Sequence, residues 1–133
     1  MSSKEIPATH RSLIDASPIV ILSTIGPTGA PQTTALWFAA DDDGTIRVSL
    51  NTNRQKAKNL QANPNASLLF VDPANPYKTL EIRAIARVEP DPDYTFADVI
   101  GKKYDADLRK MDQPGESRIK VTFEPRKFLT FGS

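Results

Sequence analysis

Apolar residues recur along this chain in short runs, mostly alternating with polar ones, and turn residues cut the runs into elements. Pro7 to Ala16 predicts a short helix with Leu13 and Ile14 inward, ended by Pro18 because a proline drives the residue before it out of helical geometry. Ile19 to Ile25 is apolar at both parities, as in a strand covered on two faces. After the turn Gly26-Pro-Thr-Gly29, Gln32 to Ala40 alternates as a second strand, and Asp43-Gly44 suits the hairpin into a third, Thr45 to Leu50. Asn51 to Asn63 loses the alternation and predicts a helix ending before Pro64. Ala66 to Val71 is a fourth strand. Lys78 to Val88 is a long one, with Leu80, Ile82, Ala84, Ala86 and Val88 on one face and Glu81, Arg83 and Arg87 on the other. Asp91-Pro92 opens a helix to about Lys110, with Asp91 as N-cap and Val99, Ile100 and Tyr104 inward. Ile119 to Phe123 and Phe128 to Phe131 close the chain as two further strands.

Strands separated by hairpin-length turns, rather than alternating with helices, predict a mainly β, α+β domain: an antiparallel barrel with helices packed outside. The 133 residues fit one domain, residues 1–133, large enough to bury a core unaided. Seventeen Lys and Arg against sixteen Asp and Glu give a net charge of +1, which argues against a nucleic-acid binder. The absence of cysteine removes disulfides and thiolate-held metals, and a single histidine, His10, rules out a multi-histidine site. No metal site is expected. His10 itself, in a polar segment, reads as a surface residue. The longest apolar run, Ile19 to Leu22, cannot cross a bilayer, and the amino-terminal residues resemble no secretory leader, so a cytoplasmic protein without membrane contact is expected.

The helix after the third strand carries the one unusual charge pattern. With Thr52 as N-cap, Arg54 and Lys56 fall in its first turns and Lys58 follows, with no carboxylate from Asn53 to Asn63. Cations at a helix start oppose the dipole by a few tenths of a kcal/mol each. Either the helix is simply a basic surface, or an anion docked on its free N–H groups reverses the sign. The other motifs carry less. Gly26-Pro-Thr-Gly29 lacks the Lys-Ser/Thr of a phosphate loop, no Gly-x-Ser-x-Gly elbow is present, and Asp105, Asp107 and Glu116 read as solvated charges. Trp37 and Phe38 read as core, although either could border a planar ligand.

Gly29-Ala-Pro-Gln-Thr-Thr-Ala-Leu-Trp-Phe38, Arg47-Val-Ser-Leu-Asn51 and Arg54-Gln-Lys-Ala-Lys-Asn-Leu-Gln-Ala-Asn-Pro-Asn65, in this order and spacing, resemble the pyridoxamine phosphate oxidase-like superfamily. More narrowly, they resemble its small flavin and deazaflavin oxidoreductases from actinobacteria. The resemblance implies an FMN-binding type of split β-barrel, a homodimer with cofactor grooves between subunits, and a small-molecule substrate. It implies that Arg54 and Lys56 hold the cofactor phosphate, that Ser49 and Asn51 lie near the phosphate or ring, and that the ring lies along Gln32, Thr33 and Thr34. The Arg-x-x-Leu-Leu-Lys strand and carboxy-terminal arginine–histidine pair of true pyridoxamine phosphate oxidases are absent. The implied activity is therefore hydride transfer between coenzyme F420 and an unsaturated or conjugated organic molecule. An FMN- or FAD-dependent oxidoreductase, or a non-catalytic cofactor carrier, is the alternative. No catalytic side chain is implied, because the cofactor carries the hydride chemistry.

Overall fold

The computed structural model describes residues 2, 3 and 5–132. The strands are β1 (Ser2–Ser3), β2 (Val20–Ile25), β3 (Pro31–Leu36), β4 (Ala39–Ala40), β5 (Ile46–Asn51), β6 (Asn65–Asp72), β7 (Asn75–Pro90) and β8 (Arg118–Phe131). The helices are α1 (Ser12–Ala16), α2 (Gln55–Ala62) and α3 (Thr95–Tyr104), followed by a 3-10 turn at Leu108–Met111. All pairings are antiparallel, in the order β3-β2-β6-β7-β8-β5-β4, with β1 added alongside β8. The two ends of that order, β3 and β4, are consecutive in the chain, so the sheet curls round as a split barrel. Inside lie Phe38, Phe70, Phe123 and Phe128 with Leu22, Ile46, Leu68, Leu80 and Ile82, all at most 1% exposed. Among the described residues no helix is long and apolar enough to cross a membrane.

The expected single strand from Gln32 to Ala40 is broken at Trp37 and Phe38, and α3 supplies the reason. The Tyr104 hydroxyl accepts from the Phe38 N–H at 3.2 Å and Lys103 Nζ donates to the Phe38 carbonyl at 2.6 Å. Side chains thus satisfy the backbone that a neighbouring strand would otherwise pair, and the chain can turn a corner from β3 to β4. Conversely, the two closing strands expected at 119–123 and 128–131 are one. Phe123 and Phe128 lie five apart and should face opposite sides of an unbroken strand. Against β7, Arg83 pairs with Lys127 while Ala84 pairs with Pro125, so Arg126 is an extra residue that returns both phenylalanines to the core.

The helix expected from Asp91 to about Lys110 starts later and stops earlier. Asp91 still caps it, but from four residues before Thr95: its carboxylate accepts from the N–H groups of Phe96 (3.2 Å) and Ala97 (2.9 Å). The helix ends where Asp105 turns left-handed, at φ 53°, and the Ala106 carbonyl folds back over Gly101. A Cβ on Gly101 would stand 2.5 Å from that carbonyl oxygen, so glycine is required there. Ala97, Ile100 and Gly101 form the buried face, which leaves Val99 outward at 53% exposed. His10, expected at the surface, is buried. Its Nε2 lies 3.1 Å from the Phe131 carbonyl and so donates to it, leaving Nδ1 to accept from the Thr9 hydroxyl at 2.8 Å. It fastens the amino-terminal segment to the end of β8.

A polar cluster joins β5, the loop before α2 and the start of β8. Arg118 and Asp112 form a two-point ion pair at 2.9 and 3.0 Å, with side chains 9% and 4% exposed. Tyr94 donates to the same carboxylate at 2.6 Å. Asn51 Nδ2 donates to Asp112 and to Glu116, at 2.9 and 3.0 Å. Glu116, expected to be solvated, also accepts from the Asn53 side chain and the Gln113 N–H. Burial pushes the Asp112 carboxyl up, but the bonds from Arg118, Tyr94 and Asn51 together outweigh it and hold it below the usual range. The bonds from the Gln113 N–H, Asn53 and Asn51 hold Glu116 low as well.

Two outcomes follow for stability. Asp91→Ala should cost about 0.5–2 kcal/mol in denaturant unfolding, as the loss of a helix cap does. Asp112→Ala should cost more, about 3–5 kcal/mol, because it strands the buried Arg118 charge. Because Asp112 and Glu116 titrate lower folded than unfolded, their contribution is complete above the ordinary carboxyl pKa of about 4 and disappears as pH falls through their depressed values. The melting temperature of the wild type should therefore drop between about pH 4 and 2, and that of Asp112→Ala less steeply.

Candidate functional site

A cleft of about 370 Å³ opens where β3, β5, α2, α3 and β8 meet, within the size range of small-molecule sites. Its walls differ. Ser49, Asn51, Arg54, Lys56 and Arg118 make its polar and cationic lining; Leu36, Trp37, Ile100, Leu108 and Met111 are apolar.

The local chain explains the cationic side. The helix was expected to start from Thr52, but the Thr52 hydroxyl bonds to the Ser117 carbonyl and hydroxyl on the other side of the loop, at 3.2 and 2.9 Å. Asn51 Oδ1 takes the Asn53 N–H at 2.9 Å. The helix accordingly begins at Gln55, with Arg54 as an extended N-cap, and no side chain caps it. Arg54 therefore stands just before the helix and Lys56 is its second residue. The first turn holds no acid. Among the described residues no carboxylate lies within 4 Å of either cation. Partial burial, and then the neighbouring Arg54 charge, lower the Lys56 pKa.

The helix carrying these cations is fixed from beneath. Gln55 donates to Asn59 at 2.7 Å, and Asn59 Nδ2 donates to Thr24 on β2 and to Gln32 on β3, both at 3.0 Å. Ala57 and Leu60 bury on the core side. The positive pole of α2 is thus rigidly presented to the cleft.

Ser49, Asn51, Arg54 and Lys56, four of the seven residues expected to hold a cofactor, meet in this one cleft. Within it Asn51 spends its amide on the chain itself, as described. The Ser49 hydroxyl receives only a long contact, 3.3 Å, from Arg118 Nη1. Gln32, Thr33 and Thr34 lie earlier along β3, outside the cleft lining, which takes Ala35, Leu36 and Trp37 from that segment. The Gln32 amide oxygen is used by Asn59, and the Thr33 hydroxyl pairs with Ser23 at 2.9 Å. Thr34 Oγ1 is buried with no hydrogen-bond partner among the described residues.

Several cleft residues were not singled out from the sequence. Arg118 sits opposite Asn51 across the β5–β8 pairing, a register that no local motif announces. Ile100, Leu108 and Met111 read only as helix residues. Trp37, which the sequence leaves as core or ligand border, lines the cleft, its ring stacked on Tyr104 with centroids 4.7 Å apart and planes within 9°. Phe38 is core.

Comparison with known proteins gives the same fold and a coarse functional class. A solved structure described as an F420 reductase is 33% identical, with a TM-score of 0.80, over 93% of this chain and 98% of that one. The conserved hypothetical protein Rv2991 from Mycobacterium tuberculosis is 24% identical at a TM-score of 0.74, over 97% and 87% of the two chains. HutZ, a heme storage protein from Vibrio cholerae, shares the fold at 18% identity and a TM-score of 0.71, over 96% and 97%. Comparison with the curated proteins gives no match. The profile of pyridoxamine 5'-phosphate oxidase matches residues 6–129. The fold is thus one used by flavin- and deazaflavin-type oxidoreductases, and this chain belongs to the pyridoxamine 5'-phosphate oxidase family.

Proposed function

We propose that this chain is an oxidoreductase that transfers a hydride between coenzyme F420 and an unsaturated or conjugated small organic molecule. It acts as a homodimer with the cofactor in a groove between subunits. The observation that carries the reading is the pair Arg54 and Lys56, lining one cleft at the uncapped start of α2 with no carboxylate of the described residues within 4 Å.

The donors there fit a phosphate. Two cations and the unbonded first-turn N–H groups of α2 supply charge-assisted hydrogen bonds, which are roughly twice as strong as neutral ones. Ser49 adds a hydroxyl with only a weak internal partner. Trp37, Leu36, Ile100, Leu108 and Met111 form an apolar wall suited to a planar body extending from that phosphate and to keeping water from it. When bound, the cofactor supplies the hydride chemistry, so the chain needs no nucleophile. The likeness to the F420 reductase supports this deazaflavin over FMN or FAD, which are the alternatives on the same scaffold. Partly exposed Ile21, Ile25, Leu69 and Val71, on the faces of β2 and β6 that point away from the core, support pairing with a second copy. Light scattering should then give twice the mass of one chain.

Trp37 is the single tryptophan, so its emission reports on the cleft directly. Titration with F420 should quench it, and FMN should quench it less or at higher concentration. Arg54→Ala with Lys56→Ala should weaken F420 binding by about 3 kcal/mol or more, a loss of roughly a hundredfold. The melting temperature without cofactor should hold or rise, because removing cations from the positive pole of a helix relieves a few tenths of a kcal/mol each. Unchanged affinity in the double variant would overturn the assignment. Tight F420 binding without oxidation of pre-reduced cofactor by any of a panel of quinones, unsaturated lactones and tetrapyrroles would make the protein a carrier.

A further inference from the structure

We propose that Lys56 is also an acylation site: an acyl phosphate whose phosphate docks beside Arg54 passes its acyl group to the Lys56 amine. The inference rests on the phosphate reading of this cleft and adds a second ligand chemistry to it.

Three features together favour reaction at Lys56. First, it lines the cleft together with Arg54, whereas Lys58, two residues on, is exposed on the opposite side of the helix and lies against a different depression. Second, no group of the described residues engages its ammonium. Lys103 Nζ, by contrast, is committed to the Phe38 carbonyl and stands 3.9 Å from the Phe38 ring centroid, and Lys120 lies over Phe96. Third, burial and the Arg54 charge both disfavour its protonated form, which raises the share of free amine at neutral pH. The Arg54 guanidinium can hold an anion while Lys56 reacts.

An acyl phosphate matches this arrangement because its activated carbonyl is bonded through one oxygen to the group that Arg54 would hold. In the step, Lys56 first loses a proton to solvent. Its Nζ lone pair attacks the carbonyl carbon and the N–C bond forms. The C–O bond to phosphate breaks with its electron pair going to the phosphate oxygen, and the second nitrogen proton passes to that phosphate or to water. The products are an amide and inorganic phosphate, with no redox change. The acylated side chain has lost its charge and extends into the cleft. Acylation and cofactor binding therefore exclude one another, and the cleft would respond to acyl phosphate whenever it is free of cofactor.

The test compares two acetyl donors on the intact protein, with acetylation of each lysine followed by peptide mass spectrometry. Acetyl phosphate carries the docking group; N-acetoxysuccinimide is uncharged and reports intrinsic amine reactivity. The ratio of the two rates at Lys56, divided by the same ratio at Lys58, cancels differences in basicity. The account predicts a several-fold excess that falls toward one in Arg54→Gln and on adding inorganic phosphate. A quotient near one in the wild type, or an excess indifferent to both Arg54→Gln and phosphate, overturns the proposal. If the quotient is near one while Trp37 quenching by F420 still depends on Arg54 and Lys56, only the acylation proposal fails. If that dependence is missing too, the phosphate reading fails with it.

Discussion

At the start of α2 the backbone dipole and the side chains have the same sign. Arg54 and Lys56 stand at the positive pole, no acid occupies the first turn and no side chain caps the free N–H groups. A folded chain can relieve such a pole by placing an aspartate or serine at the N-cap or by folding a carboxylate over it. Here the nearest candidates are otherwise engaged. Thr52 is turned to Ser117, and Glu116 is held by Asn51, Asn53 and the Gln113 N–H. The unfavourable local electrostatics are small in energy but persistent, and an anionic ligand is what reverses their sign.

The rest of the fold holds that pole in place. From below, Asn59 ties α2 to β2 and β3 through Thr24 and Gln32. From the side, Asn51 bridges Asp112 and Glu116, so the loop entering α2 is locked to the segment entering β8. The Arg118–Asp112 pair puts a third cation at the cleft but neutralises it, which separates a structural arginine from Arg54 and Lys56, unpaired with any carboxylate of the described residues. The apolar wall has its own support. The corner between β3 and β4 is clamped by Tyr104 and Lys103, and Trp37 is stacked on Tyr104. Cleft-lining residues are thus presented by rigid elements, the arrangement that limits the ordering cost of any binding there.

The barrel was legible because alternation and turn residues are local signals. Leu80, Ile82, Ala84 and Ala86 face the core as their spacing requires. The departures occur where tertiary contacts override local pattern. Trp37 and Phe38 look like mid-strand residues, yet side chains of α3, more than sixty positions away, complete the backbone bonding of Phe38. The extra residue Arg126 is visible only against β7. Thr52 has the chemistry of a cap, but Ser117, just before β8, competes successfully for it. In the site, the charge anomaly of Arg54 and Lys56 is written in one segment and could be read there. Arg118 and the wall of Ile100, Leu108 and Met111 come from segments that only folding brings together.

The central claim is that a phosphate compensates the positive pole of α2. A crystal structure with bound F420 tests it most directly. The account predicts the cofactor phosphate within hydrogen-bond distance of the Arg54 guanidinium, Lys56 Nζ and at least one first-turn N–H, with the cofactor body against Trp37. A cofactor bound with its phosphate elsewhere, and Arg54 and Lys56 left in solvent, would contradict it.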